Sequence, residues 1–84
     1  MLVTTGSITT AERLTRALYR SAGVPARVIH TPAEIKKGGC SYAVKFNEEN
    51  ESAVRRIIKE YGIKVRKYYR ESYSDGRFVY HAVP

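Results

Sequence analysis

Two short segments with the same pattern, one in each half of the chain, constrain the fold more than any other sequence feature. They are residues 18–24 and residues 57–63. Each ends an apolar helical stripe, places a glycine where a left-handed helix cap is needed, and continues with a branched apolar residue, Val24 or Ile63. The chain is therefore expected to consist of two similar halves, each built around one helix.

The two helices follow from apolar residues repeated every three or four positions. The first helix is expected to begin at Ser7 or Thr9 and the second near Asn47 or Asn50, since these side chains can accept a backbone hydrogen bond. The predicted buried stripe of the first helix is Ala11, Leu14, Leu18 and Ala22. That of the second helix is Ala53, Val54, Ile57, Ile58 and Tyr61.

Strands are predicted around these helices from β-favouring residues bounded by turn signals. They cover residues 2–5, 27–30, 42–46, 63–69 and 78–83. The order strand, helix, strand, strand, helix, strand predicts an α+β fold, the ferredoxin-like split βαβ arrangement, with a C-terminal hairpin as an extension. Right-handed crossovers place both helices on one face of an antiparallel sheet and leave the other face open to solvent or to a partner.

Length and composition favour one soluble globular domain over residues 1–84. The chain has 84 residues, 43% apolar and 27% charged, and 15 Lys and Arg against 8 Asp and Glu give a net charge of +7. Phosphate polymers or acidic proteins are therefore plausible partners. The single cysteine, the lack of an export signal and the lack of a membrane-spanning stretch predict a cytoplasmic protein without a structural zinc site. The sequence leaves open whether the protein is a monomer or a homodimer.

Cys40 is the one residue whose chemistry the predicted fold does not explain. It follows Lys36-Lys37-Gly38-Gly39, whose ammonium groups and unpaired backbone amides would favour a nucleophilic thiolate. The alternative is a small buried residue at the start of a strand, because free cysteine is among the most buried residue types.

His30 is a candidate partner for Cys40. The strands on either side of the glycine loop are joined directly, so the end of one and the start of the next should be neighbours across the sheet. An imidazole there could take the thiol proton. A lone histidine is more often a surface or hydrogen-bonded structural residue. Since no third residue to orient His30 can be identified, the sequence does not predict a hydrolase or any other enzyme.

The last third of the chain, residues 64–84, is basic and rich in tyrosine. Tyrosines could stack on bases while cations neutralise phosphates, so an RNA-binding or protein-binding module is the alternative function. The simpler interpretation is a solvated sheet edge with tyrosines packed between strands. The candidate residues are Lys64, Arg66, Lys67, Tyr68, Tyr69, Arg70 and Arg77.

The order of motifs over residues 2–62 resembles a family of small bacterial selenium/sulfur carrier-like proteins. The resemblance rests on Gly23-Val24-Pro25-Ala26-Arg27-Val28, on Pro32, and on a glycine loop that precedes Cys40 and an alternating strand. It implies a carrier that takes sulfur or selenium from a cysteine desulfurase-type donor, holds it on Cys40 without a bound cofactor, and passes it to an acidic acceptor protein. In such a carrier Lys36 and Lys37 would stabilise the anionic cargo.

Overall fold

The computed structural model describes residues 1–36, 38–39 and 41–84. Lys37 and Cys40 lie outside the described residues, and so do the predictions made for them. The described elements, in chain order, are β1 (Leu2–Thr5), α1 (Ile8–Ala22), β2 (Ala26–His30), β3 (Tyr42–Phe46), a short 3-10 turn (Glu48–Asn50), α2 (Glu51–Tyr61), β4 (Tyr68–Ser74) and β5 (Arg77–Val83).

The described strands form one antiparallel sheet in the order β2-β3-β1-β4-β5. The first four positions of this order are those of the split βαβ arrangement, in which β1 and β3 are central. β5 is the added strand and pairs with β4 from Tyr68↔Val83 to Ser74↔Arg77. The predicted α+β class and the hairpin extension are confirmed.

The two predicted helix ends are also confirmed. Gly23 and Gly62 adopt the left-handed conformation, with φ of 62° and 61°. At the end of α1 the Gly23 N–H donates to the Tyr19 carbonyl at 2.9 Å, and at the end of α2 the Ile63 N–H donates to the Ile58 carbonyl at 3.0 Å. These bonds satisfy carbonyls that the helix leaves open and turn the chain back toward the sheet.

The main core lies between the sheet and the two helices. The helices contribute Leu14, Leu18, Val54 and Ile57, and the sheet contributes Val3, Val44 and Phe46. Burial of one such side chain stabilises the fold by roughly 1.5 to 3 kcal/mol. A second, smaller cluster of Leu2, Ala43 and Tyr69 lies on the opposite face of the sheet, which carries neither helix and is here called the free face.

The fourth strand begins later than the sequence pattern indicates. Residues 63–67 were expected to be its first part, but β4 starts at Tyr68. Ile63 and Val65 turn inward against the helical core, while the segment is tied to β1 by the bond from the Arg66 N–H to the Thr4 carbonyl, 2.8 Å. The apolar alternation of this segment reflects packing beside β1 without a regular ladder.

Candidate functional site

The candidate site is the connection between β2 and β3, residues 31–41, called here the β2–β3 loop. Its two ends are held together by the sheet: the Thr31 N–H donates to the Ser41 carbonyl at 3.0 Å, directly after the pair His30↔Tyr42. The His30 and Tyr42 rings lie 5.3 Å apart at an angle of 34°. The base of the loop is therefore fixed by backbone pairing and by one ring contact.

The first part of the loop folds over the free face of the sheet. A turn is closed by the Ile35 N–H, which donates to the Pro32 carbonyl at 3.1 Å. Ile35 then packs on the cluster formed by Leu2, Ala43 and Tyr69, where Tyr80 of β5 also packs. The free face was expected to be open, and this part of it is instead covered by the loop.

Tyr80 links the loop to the C-terminal hairpin. Burial raises the pKa of its phenol, and the nearby carboxylates of Glu71 and Glu34 raise it further. Ile35 and Glu34 also share a small cavity with Phe78 and Tyr80. The hairpin thus lies beside residues 34–35 of the loop and shares a cavity with them.

The glycine part of the loop lies beside an arginine from a distant segment. Gly38 adopts a left-handed φ of 54°, a conformation that favours glycine. A Cβ placed on Gly39 would be 3.8 Å from Nη2 of Arg66. The same guanidinium crosses Gly6, where a Cβ would be 3.1 Å from Nη2. Arg66 therefore brings a permanent positive charge to the residue that immediately precedes Cys40 in the chain.

The structure places the residues predicted for the thiol site as follows. Lys36, Gly38 and Gly39 are exposed. His30 is exposed at the end of β2, and the residue directly opposite it is Tyr42. The predicted pairing of His30 with Cys40 concerns a residue outside the described part of the chain and stays a prediction.

Arg66 was assigned by the sequence to the basic tail, and its position beside Gly39 was missed. No local pattern could have indicated this contact, because Arg66 and Gly39 are far apart in sequence and lie close together only in the folded structure. Arg66 is thus added to the candidate site on the basis of the structure.

The remaining basic-tail candidates are spread over different surfaces. Tyr68 lies under the guanidinium of Arg55, 3.9 Å from Cζ to the ring centre, and burial raises its phenol pKa against the lowering effect of Arg55 and the raising effect of Glu51. Tyr69 is buried on the free face. Two of the tyrosines proposed to stack on bases are thus covered by other side chains.

The positively charged side chains of the tail also lie on different surfaces. Arg70 forms ion pairs with Glu48 at 2.8 Å and with Glu51 at 3.3 Å. Lys64 and Arg66 line one groove with Gly6, whereas Arg77 lies at the hairpin turn. Lys67 is exposed beside β1, and its N–H donates to Oγ1 of Thr4.

The described residues hold neither a metal-binding cluster nor a membrane-spanning helix. Residues 1–36, 38–39 and 41–84 contain no group of three or more His, Cys, Asp or Glu side chains placed to hold a metal ion. In the same part of the chain, neither helix combines the length and apolar character that a membrane crossing requires.

The comparison with known proteins agrees with the motif order around the loop. The family described as "Putative Se/S carrier protein-like" matches residues 1–70, and the chain belongs to this family. The matched residues contain β1 to the start of β4 and include the whole β2–β3 loop. No curated protein and no solved structure matches the chain significantly.

Proposed function

We propose that this protein is a non-enzymatic carrier of sulfur or selenium that holds its cargo on Cys40 and transfers it between two partner proteins. The observation that supports this most directly is the β2–β3 loop itself, a cysteine-containing loop fixed at its base by Thr31 and Ser41 and flanked by the guanidinium of Arg66. Membership of the carrier-like family over residues 1–70 points to the same loop.

The transfer step is a thiol exchange. The Cys40 thiolate attacks the terminal sulfur of a donor persulfide, the bond between the two donor sulfurs breaks, and the donor cysteine leaves as a thiolate. The product is Cys40-S-SH, or its selenium analogue. A nucleophile on the acceptor repeats the same exchange, so the reaction needs neither an oxidant nor a cofactor bound to this protein.

The charges around the loop suit this chemistry. Both the thiolate and the deprotonated persulfide are anions, and nearby cations favour them. Arg66 lies beside Gly39, and Lys36 is exposed on the same loop. The net charge of +7 would speed association with acidic donor and acceptor proteins. A cytoplasmic location, where cysteine desulfurases supply persulfide, fits the proposal.

The test is a loading experiment with intact-mass measurement. The protein is incubated with a cysteine desulfurase and cysteine, separated from the donor, and compared with the variant Cys40→Ser. We expect one sulfur-sized mass addition on the wild-type protein, removed by a thiol reductant, and none on the variant. Ser41→Ala, which keeps the cysteine, serves as the control and should load normally. Equal labelling of wild type and Cys40→Ser would refute the proposal.

A further inference from the structure

β2 is an outer strand of the described sheet, with β3 as its neighbour. Just beyond it, the Thr31 N–H donates to the Ser41 carbonyl, and in an antiparallel ladder such hydrogen-bonded pairs recur at every second residue. The Phe46 N–H agrees with this alternation, because it donates to the Met1 carbonyl on the other side of β3. Three residues of β2 therefore direct their backbone N–H and C=O groups outward from the sheet. They are Ala26, Val28 and His30.

Two grooves meet at the start of β2, and residues 25–26 line both of them. One groove extends toward α1, where Arg16 and Arg20 line it. The other extends toward the end of β3 and contains Arg27. Arg27 lies on the free face, since the next residue, Val28, packs on the helical core. A chain added along this edge would send its side chains alternately toward one groove and toward the other, because successive side chains of a strand point to opposite faces.

Both grooves carry positive charge. Within the part of the chain that the structure describes, neither groove has an Asp or Glu side chain in its lining. Lys45 also lines the β3-side groove, but it is paired with Glu71 at 3.3 Å. The charge available to a partner comes from three exposed arginines, Arg16, Arg20 and Arg27. Tyr19, which is 70% exposed in the α1-side groove, adds apolar surface beside them.

The other outer strand, β5, offers a different environment. The groove beside β5 contains Glu34 as well as Arg77, so its charge is mixed. β2 also contains neither lysine nor proline, two residues that commonly protect sheet edges from pairing. The combination of outward backbone groups and unmixed positive charge is therefore found at β2.

We propose that β2 is a docking edge for an acidic, extended segment of a partner protein, which adds to the sheet as a further strand. The outward N–H and C=O groups supply main-chain hydrogen bonds, and the arginines select acidic side chains. A second copy of this chain is a poorer match, because it brings the same arginines and a net charge of +7. RNA matches the charge but lacks the regularly spaced N–H and C=O groups of a strand. The inference goes beyond the proposed carrier function and does not depend on it.

The experiment is an NMR titration of the full chain at low salt with a short synthetic peptide that alternates glutamate and threonine. We expect new protection from hydrogen exchange at the three outward amides of β2. The same peptide, N-methylated at every amide, keeps its charge but cannot donate main-chain hydrogen bonds, and it should bind about tenfold more weakly or worse. Equal binding of the two peptides, or protection without any change at β2, would overturn the inference.

A pair of double variants tests the arginines. Arg16→Gln with Arg27→Gln removes one charge from each groove, and we expect binding of the peptide to weaken about threefold to tenfold. Arg56→Gln with Lys59→Gln removes two charges from exposed positions of α2 and should bind within about twofold of wild type. An equal loss in both double variants would overturn the inference in favour of net charge alone. Tighter binding of single-stranded oligouridine than of the peptide, without protection at β2, would overturn it in favour of RNA.

Discussion

The guanidinium of Arg66 lies across the backbone of Gly6, so closely that a Cβ at Gly6 would be 3.1 Å from Nη2. Gly6 directly follows β1, and the absence of a side chain there lets Arg66 pass over it toward Gly39. The positive charge that the proposed function needs beside the β2–β3 loop therefore comes from the exposed side chain of Arg66, which passes over Gly6.

Replacing this arginine should slow the chemistry of the loop. We expect Arg66→Gln to lower the rate of sulfur loading on Cys40 about twofold to threefold at low salt, and less at high salt, because an exposed charge is screened. The measurement is the loading rate by intact mass at two salt concentrations. Lys64→Gln, the same loss of charge in the same segment, is the control, and an equal effect of both variants would show that only net charge matters.

Glu71 should make the fold sensitive to acid. Although burial raises its pKa, hydrogen bonds and the positive charges of the Met1 ammonium, 2.8 Å away, and of Lys45, 3.3 Å away, lower it below the usual 4.5. A carboxylate with a lowered folded-state pKa stabilises the protein above the unfolded-state value, and this stability is lost as the pH falls through the folded-state pKa.

We therefore expect Glu71→Gln to lose about 1 to 2 kcal/mol of unfolding free energy at pH 7, the size of a charged hydrogen bond. The difference from wild type should shrink below about pH 4. Urea denaturation of the chain beginning at Met1 measures both values. Glu60→Gln, which removes an exposed ion pair with Arg56, should change stability little at either pH. A difference that stays constant down to pH 2 would contradict the prediction.

Ile35 should hold the β2–β3 loop on the free face. Ile35→Ala removes apolar packing against the cluster of Leu2, Ala43 and Tyr69, and we expect a loss of about 1 kcal/mol because the side chain is only partly buried. Faster hydrogen exchange of the Thr31 amide, which pairs with Ser41, should accompany it. Ile8→Ala, at an isoleucine that is 45% exposed, is the control. Unchanged exchange at Thr31 would mean that the contact does not restrain the loop.

Binding of single-stranded RNA should be electrostatic, without base stacking. Tyr68 and Tyr69 are covered, which leaves Tyr73 and Phe78, 67% and 46% exposed, as the aromatic residues of the hairpin that could stack. We expect affinity to fall steeply with salt, and a Tyr73→Ala, Phe78→Ala double variant to stay within about twofold of wild type. A loss of about tenfold or more in that variant would favour the nucleic-acid module, since stacking contributes about 1 to 3 kcal/mol per base.

The parts of the fold that could be predicted are those with a local signal. Gly23 and Gly62 mark helix ends because few other residues adopt a left-handed backbone conformation there. The alternation from Tyr42 to Phe46 has one apolar face and is a strand. Residues 63–67 show the same alternation but pack inward beside β1. Their pattern therefore indicates burial of Ile63 and Val65 and does not indicate a regular strand.

The candidate site could be predicted only in part. The glycine loop was recognised from its own residues, whereas the contact of Arg66 with Gly39 and the cover provided by Ile35 depend on segments that meet after folding. The hydroxyl of Thr31, which is buried and has no hydrogen-bond partner among the described residues, also has no sequence signal, because a threonine at a strand end is ordinary until its surroundings are known.

β5, which pairs with β4 on the side opposite β1, lies outside residues 1–70 that match the family. Residues 71–84 contain most of the hairpin, including Glu71, which binds the Met1 ammonium, and Tyr80, which packs with Ile35 of the β2–β3 loop on the same apolar cluster. A chain truncated after residue 70 would keep the β2–β3 loop but lose β5 and the packing of Tyr80. Tyr69 would then lie exposed at an unpaired edge of the sheet. In this protein, residues 1–70, which match the family, therefore depend on the C-terminal hairpin. Removing residues 71–84 should yield a protein that is prone to aggregate.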